Sequence, residues 1–381
     1  MRLFLYDTLS AGEKAVPEGP IKLYVCGVTP YDTTHLGHAF TFVVFDALVR
    51  GLRWLAPRRE VTYIQNVTDI DDSILMRARK LGVNWRALGD EQIDLYRTDM
   101  EALRVSGPER LVRATSAIPT IHTLIQALLD RSAAYVADGG SVFFRVRSRQ
   151  SYGELSRLSR AEMLEIAGQQ DDADLDDPRK EDPLDFALWK GWSGDAEEPC
   201  WDSPWGRGRP VWHIECSALC RQYLGEQISV HGGGADLIFP HHESEIAQSE
   251  TALGVRPFAQ VWSHVAMVRM DGEKMSKSLG NMVFVRELLR SYSPDAIRLY
   301  LLSHHYRRAW EWSPADMDAS ADLASRLATS AAAAATSPAD TREAFAAALA
   351  DDLNTPAAIE TLSRAGGATL RELATVLGLS L

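Results

Sequence analysis

Lys22-Leu-Tyr-Val-Cys-Gly-Val28, then residues 36–55, then Val61-Thr-Tyr-Ile-Gln-Asn66 form the stretch that decides the fold. The first piece is short, rich in β-branched and aromatic residues, and ends at a Thr-Pro turn, so it reads as a buried strand. The second carries apolar residues at helical spacing. The third reads as another strand. Strand, helix and strand in about 45 residues make a βαβ unit, which implies a parallel sheet with ligands at the carboxyl ends of its strands.

Working outward, residues 74–135 read as largely helical and 141–146 as a short strand. Residues 169–182 contain Asp171-Asp-Ala-Asp-Leu-Asp-Asp-Pro178 and read as an acidic surface loop. Strand-like pieces return at 227–230 and 261–270. A helix is expected over 240–253, with Pro240 at its first position, where no amide donor is lost. From Asp295 the pattern is helical to the end, and the Ala/Ser/Thr/Pro stretch 331–340 reads as frayed helix or linker. No repeat of fixed period is present. The expectation is an α/β protein with a doubly wound catalytic domain in two halves, 1–104 and 196–294. A mixed α/β insertion at 105–195 separates the halves, and a helical domain occupies 295–381.

The chain has 381 residues, 46% hydrophobic and 24% charged, enough for more than one folding unit. A formal charge of −12 excludes a uniformly basic nucleic-acid wrapper but permits a local basic groove. Cys26, Cys200, Cys216 and Cys220 are too few for a disulfide framework. The start, Met-Arg-Leu-Phe-Leu-Tyr-Asp, has no secretory pattern, and no apolar run approaches the ~20 residues of a membrane span. A cytoplasmic monomer without membrane contact is expected.

Two constellations carry chemistry. Thr34-His35-Leu36-Gly37-His38 falls where the first strand meets its helix. A helix start presents free amides and a positive dipole end, which suits a phosphate. Gly37 allows close approach of a nucleotide, and the two imidazoles can donate to phosphate oxygens as charge builds. Taken alone, this spacing arises often as capping and packing. Lys274-Met275-Ser276-Lys277-Ser278 lies within Asp271 to Asn281, flanked by glycines. Two lysines and two hydroxyls there suit a mobile clamp on a triphosphate, stabilising charge that moves onto leaving pyrophosphate. No residue stands out as a nucleophile or general base.

Together the two constellations resemble the class I aminoacyl-tRNA synthetases. The chain is more closely similar to the cysteinyl-tRNA synthetase family. Tyr24-Val-Cys26-Gly-Val-Thr-Pro-Tyr-Asp, Asn66-Val-Thr68-Asp-Ile-Asp-Asp, Trp212-His-Ile-Glu-Cys216-Ser and Gly232-Gly-Gly-Ala-Asp236-Leu-Ile-Phe-Pro-His241-His-Glu-Ser-Glu245 carry that resemblance, over roughly residues 20–315. The resemblance implies one zinc ion held by Cys26, Cys216, His241 and Glu245. These donors suit tetrahedral zinc, and His241 and Glu245 are spaced i,i+4 for one helix face. Cys220 and His242 are set aside in this reading, and Cys200 is incidental. A substrate cysteine adding its thiolate as a further ligand would reject serine by about 10⁴-fold or more without editing.

The resemblance also implies Thr68 and Trp212 around the amino acid, and Gly27 and Thr29 along the adenylate. Gly37, Thr41, Gly234, Asp236, Val268, Ser276 and Ser278 fall around ATP. His35, His38, Lys274 and Lys277 would carry the adenylation, in which the cysteine carboxylate attacks the α-phosphorus in line and the enzyme supplies positioning and charge stabilisation. Mg²⁺ should accompany ATP, with no dedicated protein site visible.

The acceptor is the open point. Cysteinyl-tRNA synthetases continue past a helical bundle into an anticodon-binding domain. Here Asp351-Asp-Leu-Asn-Thr-Pro356 resembles the bundle segment, and the sequence ends at Leu381. That short plan is similar to the mycothiol-pathway cysteine ligases, which transfer cysteine to the amine of glucosaminyl-inositol. Against this, Asp-Asp-Pro-Arg-Lys-Glu-Asp-Pro183 and Glu245 are synthetase-like. The first expectation is therefore cysteine activation followed by transfer to a small amine. The alternative is a compact synthetase charging tRNA(Cys), and a third reading is a non-catalytic nucleotide-binding relative. A basic stripe along Arg286, Arg290, Arg298, Arg307 and Arg308 would favour tRNA; scattered arginines would favour the amine.

Overall fold

The computed structural model describes residues 1–31, 34–170, 174–275, 280–334 and 336–381. Five parallel strands form its centre, in the order Ala259–Val265, Ile228–Gly234, Ile21–Val28, Val61–Val67, Arg110–Arg113. The expected βαβ unit is there, with its helix at Leu36–Leu55. Alternation along the central strand explains why both sheet faces are covered. Ile21, Leu23 and Val25 join the apolar core with helix Leu36–Leu55 and the C-terminal helices. Tyr24 and Cys26 point the other way, into a core built with helices Ile118–Asp130, Trp212–Leu224 and Glu243–Leu253. A sheet covered on both faces needs near-continuous apolar strands, and this one has them.

Arg110–Arg113 pairs in parallel with Val61–Val67, so residues 110–113 belong to the central sheet and not to the insertion. The insertion's own sheet is antiparallel, with strands Ala134–Val136, Val142–Phe144, Phe186–Gly191 and Gly208–Pro210 in chain order. The antiparallel layer therefore runs later than residues 105–195, because its last strand pairs at 208–210.

Past the sheet, a three-stranded patch of Val268–Met270, Glu273–Lys274 and Trp310–Glu311 flanks the second constellation. Helices Pro294–Leu302, Pro314–Ala332, Thr341–Ala350, Thr355–Ser363 and Gly367–Val376 follow. The helix over the alanine-rich stretch ends at Ala332. Arg298, fully buried, donates to Asp46 Oδ2 at 2.6 Å, Leu103 O at 2.9 Å and Leu377 O at 2.8 Å. It pins the C-terminal segment to helix Leu36–Leu55.

Candidate active site

The carboxyl end of the central strand delivers Cys26 and Gly27. Gly27 N donates to Asn66 Oδ1 at 2.8 Å, and a Cβ there would meet Asn66 O at 1.7 Å. Only glycine allows the two strands to approach so closely. Asn66 Nδ2 in turn donates to Thr68 Oγ1 at 3.1 Å, fixing that buried hydroxyl at the neighbouring strand's end. Thr29, half-buried, lies just beyond the central strand.

Cys26 Sγ lies 3.7 Å from Cys216 Sγ and 3.4 Å from Glu245 Oε1. Cys216 comes from helix Trp212–Leu224 and Glu245 from helix Glu243–Leu253. His241 Nε2 is 3.2 Å from Glu245 Oε1. Cys26, His241 and Glu245 thus meet in one buried place, with the Cys216 sulfur beside that of Cys26 but outside the set of donor atoms that lie within 4.8 Å of one another. Their helix differs from expectation: it begins at Glu243, and Pro240 and His241 sit in the preceding turn Ile238–His242, where Phe239 takes extended dihedrals. The i,i+4 pair meets across the junction of turn and helix.

His242 and Cys220, set aside in the sequence reading, also lie in this cluster. His242 Nε2 lies 3.3 Å from Cys26 Sγ, and Cys26, His241, His242 and Glu245 hold donor atoms within 4.8 Å of one another. Cys220, His231 and Glu245 make a second such group. Glu245 is the shared centre, its Oε2 3.0 Å from His231 Nε2. His231 was missed because nothing local marks it: it is one residue of a buried strand, Ile228–Gly234. A shell of imidazoles extends outward. His213 Nδ1 lies 2.9 Å from His241 Nδ1, and His242 Nδ1 lies 2.7 Å from His264 Nε2, whose ring reaches Thr8 Oγ1 at 2.7 Å. Trp212 stacks on His241 with centroids 4.2 Å apart.

Burial sets the protonation of this cluster. It pushes the Cys26 and Cys216 thiols up and the His241 and His242 imidazoles well down. Neutral imidazoles are ready ligands. Protonated thiols convert to thiolates when a bound dication stabilises the negative charge. The donor chemistry, two soft sulfurs with imidazole and carboxylate and no disulfide, fits zinc.

The first constellation stands at the start of helix Leu36–Leu55. His35 caps it, its Nδ1 accepting from Gly37 N at 3.1 Å. The His35 and His38 rings stack at 3.9 Å, both half-buried. A Cβ on Gly37 would approach the His35 ring at 3.0 Å, so the glycine keeps the paired rings uncrowded. Thr41 Oγ1 turns back to Gly37 O at 3.2 Å. Gly234 ends the strand next to the central one, where a Cβ would stand 2.5 Å from Asp236 Oδ1, and Asp236 is exposed. Val268 is buried at the start of the strand that pairs with Glu273–Lys274. Ser276, Lys277 and Ser278, and the side chain of Lys274, lie outside the described residues. Cys200 stands apart, half-buried, with Arg207 Nη2 at 2.9 Å from its sulfur.

The parallel sheet, the histidine pair at the first helix start and the strand patch leading into the lysine loop are the architecture of class I aminoacyl-tRNA synthetases. Mycobacterium tuberculosis methionyl-tRNA synthetase, solved with methionyl-adenylate, shares this fold with a TM-score of 0.64 at 17% identity, over 94% of this chain and 83% of that one. Residues 13–322 match the family described as tRNA synthetases class I (C) catalytic domain, and the chain belongs to that family of ATP-dependent ligases. An L-cysteine:1D-myo-inositol 2-amino-2-deoxy-alpha-D-glucopyranoside ligase of Frankia casuarinae is 47% identical over 379 residues, 98% of this chain and 79% of that protein. The cysteine--tRNA ligase of Nitrosomonas eutropha is 44% identical over 378 residues, 94% of this chain and 79% of that protein. Among the described residues, no helix is long and apolar enough to cross a membrane.

Proposed function

We propose that the chain activates L-cysteine with Mg-ATP to cysteinyl-adenylate and transfers the cysteinyl group to the amine of a small acceptor of the glucosaminyl-inositol kind. The relatives supply the substrate classes, and the site supplies the means. Cys26, Cys216, His241 and Glu245 would hold zinc, with His242 against Cys26. Zinc there supplies a Lewis-acidic anchor for a thiolate, which a serine hydroxyl does not match. Trp212 stacks on His241, and Thr68 and Trp212 would orient the α-amino and carboxylate groups. The carboxylate oxygen attacks the α-phosphorus and pyrophosphate leaves, while His35, His38 and the loop lysines stabilise the charge that develops.

The fate of the arginine row carries the choice of acceptor. Arg298 is buried against Asp46, Arg286 donates to Asp99 at 3.1 Å, and Arg307 is paired with Asp352. Arg290 and Arg308 stand exposed and have no such carboxylate pairing among the described residues. A row in which carboxylates take up three of the five arginines supports a small amine over a polyanionic tRNA. The second reading, tRNA(Cys) charging, is favoured by Glu245: its carboxylate sits at the centre of the cluster, where the synthetase pattern has it.

The deciding experiment follows labelled cysteine, with ATP and Mg²⁺, into glucosaminyl-inositol and into bulk tRNA, beside cysteine-dependent pyrophosphate exchange. Exchange with amide product and uncharged tRNA is expected. Exchange with charged tRNA and no amide would replace the reading by the synthetase one. No exchange at all would leave only nucleotide binding.

A further inference from the structure

A cavity of about 240 Å³ lies between the insertion and the carboxyl edge of the central sheet. Its catalytic-side wall is made by Asp72, Val211, His213, Phe239 and Pro240. This wall touches the cysteine site directly, because His213 Nδ1 lies 2.9 Å from His241 Nδ1, while Val211 and His213 bracket Trp212 and Pro240 precedes His241. The cavity therefore shares its inner wall with the amino-acid site. Its outer wall comes from the insertion and includes the aromatic residues Phe143, Tyr152 and Phe186.

The lining chemistry selects a ligand class. Aromatic rings suit the apolar C–H faces of a saturated ring. The lining carries both signs, with Asp72, Asp174, Asp177 and Asp185 against Arg179, Lys180 and Lys190, and Asp72 is held by Lys190 at 3.2 Å and, from outside the lining, by Arg209 at 2.5 Å. Such a rim offers acceptors and donors to neutral hydroxyls and has no excess of cations to hold a phosphate chain. A space of this size fits one polyhydroxylated ring with its substituent, and is too confined for a nucleic-acid strand.

We infer that this cavity is the acceptor chamber, taking the ring of an amino-sugar or amino-cyclitol with its amine directed past Trp212 to the activated cysteine. The inference rests on the small-amine reading. The neutral amine attacks the carbonyl carbon of the cysteinyl-adenylate, and the C–N bond forms. The bond from that carbon to the phosphate oxygen breaks, AMP leaves with its electron pair, and the amine proton passes to water at the rim. Holding the amine beside the carbonyl supplies the proximity that the transfer needs, with no further catalytic group.

The test fills the chamber from two independent walls. Ala187→Leu acts from strand Phe186–Gly191 and Ala167→Phe from helix Arg160–Ala167; both alanines line the cavity and are half-buried. Each variant is expected to raise the KM for glucosaminyl-inositol at least about tenfold, while cysteine-dependent pyrophosphate exchange stays within about twofold, because confinement acts on the acceptor alone. An unchanged acceptor KM in either variant that retains exchange overturns the chamber. Loss of exchange in one variant marks misfolding, and the other then decides. Wild-type enzyme that exchanges pyrophosphate and makes no amide overturns the small-amine reading and the chamber together. Amide formation in wild type with unaffected variants overturns the chamber alone.

Discussion

The two halves of the site differ in how they are made. The thiol and imidazole half is assembled from four distant segments and is buried throughout: Cys26 is 5% exposed, and Cys216, His231, His241, His242 and Glu245 are at 0%. The nucleotide half is one short run at a helix start, with His35, Gly37 and His38 half-buried. A buried donor set has no water to replace a missing member, so removing one leaves its partners uncompensated. In the proposed reaction the half-exposed pair would stabilise transferred charge, and water would compensate part of its loss. The first half should fail all at once and the second by degrees.

Cys216→Ala tests the first half most severely. Metal analysis of the purified variant should show loss of zinc, and cysteine activation should fall by about 10³-fold, the upper end for removing one preorganised electrostatic contact. Retained zinc would remove Cys216 from the ligand set and leave Cys26, His241, His242 and Glu245 as the donors.

His38→Ala tests the second half. The pyrophosphate-exchange rate should fall by about 10²-fold with the KM for cysteine nearly unchanged, as expected for a group that acts on charge in the transition state. Lys277→Ala should show the same pattern. A raised cysteine KM at unchanged rate would instead make these groups part of ground-state binding. The comparison between the halves would then lose its basis.

How much of this was legible follows from where the determinants lie. Helix Leu36–Leu55 could be read because twenty contiguous residues carry one pattern. The two short catalytic motifs could be read because each is local. Strand Arg110–Arg113 could not, since four residues with charged ends have no period, and its place depends on pairing with Val61–Val67. Cys26 and Cys216 lie 190 positions apart, so only the resemblance joined them. His231 and His242 enter the cluster through sheet register and the Ile238–His242 turn, neither of which is written locally. The cavity arises where two layers meet, so no single segment encodes it.

Glu245→Gln sharpens the comparison inside the buried half. The amide keeps the shape and loses the charge at the point where both donor groups meet. Zinc affinity should drop by about 10- to 100-fold, the range for disturbing a metal site's supporting groups. Discrimination of cysteine from serine, measured by exchange with each, should fall with it. Full zinc and full discrimination in the variant would place Glu245 outside the ligand set and make it a hydrogen-bond acceptor for His231.

The smallest effect is expected from the double reversal Arg290→Glu, Arg308→Glu. Both are exposed and have no carboxylate pairing among the described residues. An acceptor held in the cavity never meets them, so amide formation should be unchanged within about twofold, as for surface charges remote from a neutral ligand. A tRNA acceptor would respond differently. Each lysine or arginine contact to a phosphate contributes about one unit to the slope of log affinity against log salt, so the reversal would flatten that slope and weaken charging. A variant that forms amide normally while wild type shows no salt-dependent tRNA binding places the acceptor at the buried edge of the sheet. A variant that loses charging returns it to the surface.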